Sequence, residues 1–201
     1  NTSHFRFESM IWGIEDALKL KGAENIDSIS FIWIHGENDS ARFAEQLSQG
    51  EDINDSFAEY FKDLNFLLKS IKKEVNFKKI NFYTVRIGTV EKPELKFNSD
   101  IIQNDLGYWQ IEFACLNPNI IKPISLAPIS FSKENKLLKN DGIHYSREAL
   151  DILGSDIAKN YQAYQKNNVA TLQSLCQRNR QASPKLIFFI QPFKNSIHPT
   201  G

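Results

Sequence analysis

The chain alternates short apolar runs with longer amphipathic stretches, and this alternation constrains its fold more than any other feature. Residues 28–34, 79–87 and 124–129 are short and rich in β-branched and aromatic side chains, so we predict three strands. The first run, SISFIWI, is too apolar for a half-exposed edge and predicts a strand covered on both faces. Strands separated by helices favour a mostly parallel sheet between helical layers, with any site at the carboxyl ends of the strands.

Amphipathic periodicity predicts the helices. Apolar residues recur every three or four positions over residues 7–20, 53–75 and 99–113, which is the spacing of one helical face. Ser146 precedes a further periodic stretch and offers a hydroxyl that can cap a helix N-terminus.

These elements are predicted to form one α/β domain over residues 1–165. Residues 166–201 follow as a more peripheral extension, with a helix at residues 169–179 and a strand-like run at residues 186–190. Because a bare apolar strand is prone to aggregate, we expect that run to pair with a sheet edge or a partner chain.

The charge balance argues against two classes of partner. The chain has 24 Lys and Arg against 24 Asp and Glu, so no overall field attracts nucleic acid or an anionic membrane. Its longest apolar runs also fall far short of the ~20 residues that span a bilayer. We therefore expect neither nucleic acid nor a membrane as a partner.

The two cysteines carry no recognisable pattern. Cys115 and Cys176 lie far apart in the sequence, without a CxxC motif or a Cys/His cluster. We expect two buried free thiols, and neither a zinc site nor a disulfide.

The first candidate site directly follows the strand SISFIWI. In HGENDS, residues 35–40, Gly36 lets the backbone turn sharply and expose its N–H, and Asn38 offers a side-chain amide two residues later. Together these donors suit an oxyanion. The same residue types also make an ordinary strand-to-helix turn, so the segment alone leaves both interpretations open.

The second candidate site is DGIH, residues 141–144, ahead of the helix capped by Ser146. A tight turn allows the Asp141 carboxylate to accept a hydrogen bond from one ring nitrogen of His144, while the other nitrogen serves as a general base. A simple Asp-Gly turn with a solvent-facing histidine is the alternative.

Taken together and in this order, the two turns resemble those of the SGNH/GDSL hydrolases, most closely the sialate O-acetylesterase-like carbohydrate esterases. FIWIHGENDS resembles the W-x-Q-G-E-S-D-A segment of these esterases and also fits the G-x-N-D block of the superfamily, and DGIHYS resembles the D-x-x-H block. The resemblance implies a three-layer αβα sandwich with a mostly parallel, flavodoxin-like sheet. It also implies that O-acetyl groups are removed from carbohydrate by a Ser-His-Asp mechanism.

The resemblance assigns a role to each matching residue. His144 would be the general base and Asp141 the carboxylate that orients it, while Gly36 and Asn38 would supply oxyanion donors. The chemistry needs neither a metal nor an organic cofactor, and its partner is an acylated carbohydrate. Position 35 holds a histidine where these esterases have glutamine. The other members of the first turn would bind the substrate or stabilise the turn itself. They are His35, Glu37 and Asp39.

The serine nucleophile of these hydrolases has no counterpart in the chain. Their serine lies in a G-D-S or G-Q-S-N segment after the first strand, many tens of residues before the G-E-S-D turn, whereas only 35 residues precede Gly36 here. We expect an amino-terminally incomplete esterase that lacks its first strand, is inactive by itself and can self-associate through an exposed sheet edge. A noncatalytic carbohydrate-binding or assembly module on an SGNH-like fold is the alternative.

Overall fold

The computed structural model describes residues 2–75, 77–88 and 99–182, and the strand-like run at residues 186–190 lies outside them. The described residues form a mixed α/β arrangement of six α-helices and three β-strands. Along the chain these are α1 (Thr2–Lys21), β1 (Ile29–Trp33), α2 (Glu37–Ser48), α3 (Ile53–Val75), β2 (Ile80–Val85), α4 (Ser99–Leu116), β3 (Lys122–Ser125), α5 (Arg147–Lys166) and α6 (Asn168–Ala182). None of these described helices is long and apolar enough to cross a membrane.

The three strands form one parallel sheet in the order β1-β2-β3. The register pairs Phe31 with Phe82 and Thr84 with Pro123, and it shifts after Thr84. Because the strands are parallel, their carboxyl ends all reach the same edge of the sheet. β1 lies at one margin, and no strand among the described residues pairs with its outer side.

Two strand predictions are corrected by the structure. The third strand ends at Ser125 instead of residue 129, and residues 127–130 form a 3-10 helix. Pro128 lacks the N–H that would continue the ladder, so the chain leaves the sheet before it. The prediction that β1 is covered on both faces is also wrong, because Ser30 is exposed and Ile32 keeps 43% of its surface exposed. The helices α5 and α6 pack on β3, at the opposite margin of the sheet from β1.

The predicted helices are present with small shifts of their ends. Ser146 caps α5 as expected, since its Oγ accepts a hydrogen bond from the N–H of Ala149 at 3.2 Å. The predicted apolar stripe of α3 is buried in full: Phe57, Phe61, Leu64, Leu68, Ile71 and Val75.

The sheet divides the core into two apolar clusters. Phe82 of β2 belongs to the cluster that contains the buried stripe of α3, whereas Tyr83 and Val85 belong to a cluster with residues of α5 and α6. Neighbouring residues of a strand point to opposite faces, so the two clusters lie on opposite faces of β2. Helices therefore cover both faces at the centre of the sheet.

The helix predicted in the carboxyl-terminal extension packs into this core as α6. Leu175 is fully buried in the second cluster, and Asn179, also fully buried, accepts a hydrogen bond from Nη1 of Arg86 at 2.7 Å. A disulfide joins Cys115 of α4 to Cys176 of α6, with their Cα atoms 6.0 Å apart. The prediction of two free thiols is wrong because the packing of α6 on α4 brings together cysteines that are 61 residues apart.

Candidate functional site

The two turns singled out in the sequence both follow carboxyl ends of strands. Gly36 follows β1, and Asp141 and His144 lie in the segment between β3 and α5. The first turn is shorter than predicted, because α2 begins at Glu37 and places Asn38 in its first helical turn. The backbone N–H groups at a helix N-terminus have no partner within the helix, and they add to the exposed Asn38 amide as donors for an oxyanion.

Gly36 adopts a backbone conformation that glycine alone accepts readily, with φ of 146° and ψ of −10°. A Cβ atom at this position would lie 2.8 Å from Nε2 of Gln110 and 3.1 Å from Cδ1 of Ile87. The turn therefore packs directly against α4, which carries Gln110, and leaves no room for a side chain.

Gln110 holds the first turn in place. Gln110 is only 1% exposed. Its Nε2 donates to the carbonyl of His35 at 2.6 Å and to the hydroxyl of Tyr60 at 2.9 Å. Its Oε1 accepts a hydrogen bond from the N–H of Ile87, which follows β2. The indole of Trp33 donates to the same Tyr60 hydroxyl at 3.2 Å. One buried amide thus ties the loops after β1 and β2 to one helix.

Replacing Gly36 with alanine should lower the free energy of unfolding by about 3 kcal/mol, because backbone strain and overpacking each cost about 1–3 kcal/mol. Urea denaturation would measure the loss. Gly50→Ala is the matched control, since Gly50 also has a positive φ, 85°, but has nothing within 4 Å of its Cβ position. The control should lose about 1–2 kcal/mol from strain alone. Equal losses in the two variants would contradict the packing of Gly36 on Gln110.

His35 pairs with Asp39 within the first turn. Its Nδ1 lies 3.3 Å from Oδ2 of Asp39, and Oδ1 of Asp39 lies 3.6 Å from Nη2 of Arg42. The hydrogen bond to Asp39 raises the pKa of His35 above 6.5, against a smaller lowering by partial burial and with help from the charges of Asp39 and Glu37. The stability from this pair is therefore fully present below pH 6.5 and is lost as the pH rises through the raised pKa. Asp39 thus contacts both His35 and Arg42, which lie on either side of it in the sequence.

The second turn presents an Asp–His pair. Nδ1 of His144 lies 2.8 Å from Oδ2 of Asp141, and Oδ1 of the same carboxylate accepts hydrogen bonds from the backbone N–H groups of Ile143 and His144, each at 2.9 Å. A bridge between Leu138 and Tyr145 closes the segment around the turn. The Asp141 carboxylate thus holds both the imidazole and the backbone that carries it.

Hydrogen bonding keeps Asp141 ionised. The backbone N–H groups of His144 and Ile143, followed by the imidazole, hold the pKa of Asp141 well below its usual range. The side chain of His144 remains 71% exposed. With Nδ1 directed to the carboxylate, Nε2 is left to exchange a proton with a bound molecule. The pair can act as a general base and then as a general acid.

Gly88, in the loop after β2, connects the two turns. Its N–H donates to the hydroxyl of Tyr145 at 3.3 Å, one residue after His144, and its carbonyl accepts from Nε2 of Gln103 at 2.7 Å. The hydroxyl of Ser40, in the first turn of α2, lies 3.1 Å from Oε1 of Gln103. Hydrogen bonds therefore run from the start of α2, through α4, to the residue beside His144.

The residue Tyr145, which follows His144, is half-buried. Burial raises the pKa of the Tyr145 hydroxyl to about 12, and the negative charge of Glu37 contributes to the shift. The hydrogen bonds through Gln103 and Gly88 link the two turns indirectly.

No family model, curated protein or solved structure matches this chain. Within residues 2–75, 77–88 and 99–182, no group of three or more His, Cys, Asp or Glu side chains could hold a metal ion. No serine hydroxyl in that part of the chain hydrogen-bonds to His144. Among the described residues, Asn38, Asp141 and His144 are exposed, whereas Gly36 is buried.

Sequence reasoning missed the side chains that hold the two turns. Gln103 and Gln110 are both almost fully buried and lie seven residues apart on α4, on the same face as the buried Leu106. Two amides at helical spacing within an apolar stripe are the signal that identifies them. Tyr145 carries no comparable signal, because its contact with Gly88 joins distant parts of the chain.

Proposed function

We propose that this protein forms the base and oxyanion part of an SGNH-type serine esterase that removes O-acetyl groups from carbohydrate. The observation that carries the proposal is the 2.8 Å contact between Nδ1 of His144 and the carboxylate of Asp141, in a turn near the carboxyl edge of a parallel sheet. An exposed imidazole oriented by an ionised carboxylate is what a general base for acyl transfer requires.

On this proposal the sheet belongs to a three-layer αβα sandwich with a flavodoxin-like strand order. The parallel direction of all three strands and the apolar clusters on both faces of β2 support it. The outer side of β1, which no described strand pairs, is where the first strand of such a fold would be added from outside these residues.

The residues at this edge would divide the reaction among them. The serine hydroxyl attacks the acetyl carbonyl while His144 takes its proton, and His144 then gives that proton to the departing sugar hydroxyl. Asp141, kept ionised by its hydrogen bonds, holds the ring and stabilises the imidazolium. The N–H of Gly36 and the amide of Asn38 stabilise the tetrahedral oxyanion. Water then attacks the acetyl-serine with the same base, which releases acetate and restores the serine.

The polar side chains of the first turn would bind the sugar. The imidazole of His35 offers a hydrogen-bond donor, while the carboxylates of Glu37 and Asp39 offer acceptors. A mixture of donors and acceptors suits a molecule whose hydroxyl groups both donate and accept hydrogen bonds.

Binding of an acetylated sugar tests this proposal on the chain alone, because binding does not require the nucleophile. In NMR titrations a methyl glycoside with an O-acetyl group should shift the amide signals of Gly36 and Asn38 and the ring signals of His144. The same glycoside without the acetyl group is the control ligand and should shift them less. Asn38→Ala should weaken binding of the acetylated ligand about fivefold through loss of one hydrogen bond. Asn25→Ala, an exposed asparagine that precedes β1, is the matched control and should bind as the wild type does.

Two outcomes would contradict the proposed esterase function. Shifts confined to other surfaces would mean that the two turns do not recognise an acetylated carbohydrate. Equal affinity for both glycosides at this edge would mean that the acetyl group is not recognised, and would favour the noncatalytic carbohydrate-binding module.

A further inference from the structure

Gln103 is a buried amide on the apolar face of α4. The residue is 2% exposed and lies one helical turn before Leu106, which is fully buried. A side-chain amide in such a place is unfavourable unless both of its ends form hydrogen bonds. The two ends of Gln103 contact two different segments of the chain. The residue therefore has a fixed orientation and connects segments that are distant in sequence.

The oxygen end of Gln103 contacts the first turn. Its Oε1 lies 3.1 Å from the hydroxyl of Ser40, whose proton is shared with the carbonyl of Glu37 at 2.7 Å. The N–H of Ser40 donates to the carbonyl of Gly36 at 2.8 Å. Ser40 thus closes the first helical turn of α2, where Gly36 and Asn38 carry the candidate oxyanion donors. A displacement of Ser40 would displace these donors with it.

The nitrogen end of Gln103 holds the loop after β2. Its Nε2 donates to the carbonyl of Gly88 at 2.7 Å, and the N–H of Gly88 donates to the hydroxyl of Tyr145 at 3.3 Å. Gly88 is tightly enclosed, because a Cβ atom there would lie 2.7 Å from the carbonyl oxygen of Pro128. Tyr145 directly follows His144. The position of Gly88 therefore affects the segment that carries the base.

Acyl transfer requires the oxyanion donors and the base to be held in a fixed relative position. A misplacement of about 1 Å can lower the rate about 10²-fold. In this chain the donors begin α2 and the base lies beyond β3, so α3, β2 and α4 separate them in the sequence. Contacts between distant elements must set their relative position, and Gln103 supplies such contacts on both sides.

We propose that Gln103 is a positioning residue that sets the oxyanion donors of the first turn relative to His144. It acts through Ser40 on one side and through Gly88 and Tyr145 on the other. Its role in catalysis rests on the proposed esterase function, whereas the coupling of the two turns is measured without any substrate.

Paired substitutions in the 201-residue protein measure this coupling by NMR. Ser40→Ala removes the hydroxyl in the first turn, and it should shift the amide signals of Gly88 and Tyr145 and the ring signals of His144. Gln103→Met keeps the length of the side chain but removes its amide. In that background Ser40→Ala should add no shift at Tyr145 or His144, because the connection between the turns is already broken.

Ser48→Ala is the matched control. Ser48 is exposed at the other end of α2, and its hydroxyl donates to the carbonyl of Glu45, three residues earlier, at 2.6 Å. Its replacement removes a similar bond within the helix and should leave the signals of the second turn unchanged. Thermal unfolding verifies that each variant is folded. If Gln103→Met does not fold, the comparison of Ser40→Ala with Ser48→Ala decides the proposal by itself.

A positioning role also predicts an effect on kcat and not on KM. In a preparation where the serine-bearing strand is supplied together with this chain, Gln103→Met should lower kcat for acetyl release roughly tenfold to a hundredfold. KM should be nearly unchanged, because the oxyanion donors act mainly on the transition state. Gln173→Met, at an exposed position of α6, is the matched control and should change neither constant.

The proposal is overturned if Ser40→Ala shifts the second turn no more than Ser48→Ala does, or if its shifts persist undiminished in the Gln103→Met background. Acetyl release that depends on His144 but not on Gln103 would overturn this inference and leave the esterase function intact. Shifts that disappear without Gln103, in a preparation that releases no acetate, would support the coupling and contradict the esterase function.

Discussion

Acetyl release should fall about 10³-fold or more when His144 is replaced by alanine, in a preparation where the serine-bearing strand is supplied together with this chain. Asp141→Asn should have an effect of similar size for a different reason. Asparagine keeps an oxygen that can accept from the N–H groups of Ile143 and His144, so the turn survives, but it can place an amide N–H opposite Nδ1. The imidazole then adopts the wrong tautomer for a base. Release of acetate from an aryl acetate and from an acetylated sugar measures both effects.

Two controls make this prediction specific. His4→Ala, in the first turn of α1, should leave the rate unchanged. In the 201-residue chain alone, His144→Ala should not alter the rate of aryl acetate hydrolysis, because no serine hydroxyl among the described residues hydrogen-bonds to His144. If the 201-residue chain hydrolyses aryl acetate and His144→Ala abolishes that activity, a serine of this chain is the nucleophile.

Loss of the disulfide between Cys115 and Cys176 should lower the free energy of unfolding by about 4 kcal/mol. The two cysteines are 61 residues apart, and a cross-link over a loop of this length strongly restricts the unfolded chain. The double variant Cys115→Ser/Cys176→Ser avoids a lone thiol, and urea denaturation followed by circular dichroism measures its stability.

Reduction of the wild-type protein provides an independent measurement. With dithiothreitol the wild type should lose as much stability as the double variant, while the double variant should not respond to the reductant. A wild-type midpoint that does not change with dithiothreitol would contradict the disulfide.

The elements that the sequence predicts well are those whose signal is local. The helical period of α3 lies within 23 residues, and the Ser146 cap needs only a residue three positions later. The exposure of Ile32 depends instead on the place of β1 at the margin of the sheet, which its own apolar residues do not reveal. The end of β3 is not visible in its apolar residues, which continue to Ile129; it depends on the missing N–H of Pro128.

The same distinction applies to the site. The Asp141–His144 contact could be predicted because a turn of four residues contains both partners. The contact of Gln110 with the carbonyl of His35 joins residues 75 positions apart, and the cysteines meet only after α6 has packed on α4. Such long-range contacts depend on the arrangement of whole elements, which no local pattern contains.

The disulfide also makes residues 115–176 a covalent ring. β3, the turn with Asp141 and His144, and α5 all belong to this ring. A single backbone cleavage inside it leaves the two pieces of the protein joined, and the ends of each connecting segment stay anchored to α4 and α6. The exposed segment that carries Asp141 is therefore a place where a nick or an inserted loop can be tolerated without release of either half.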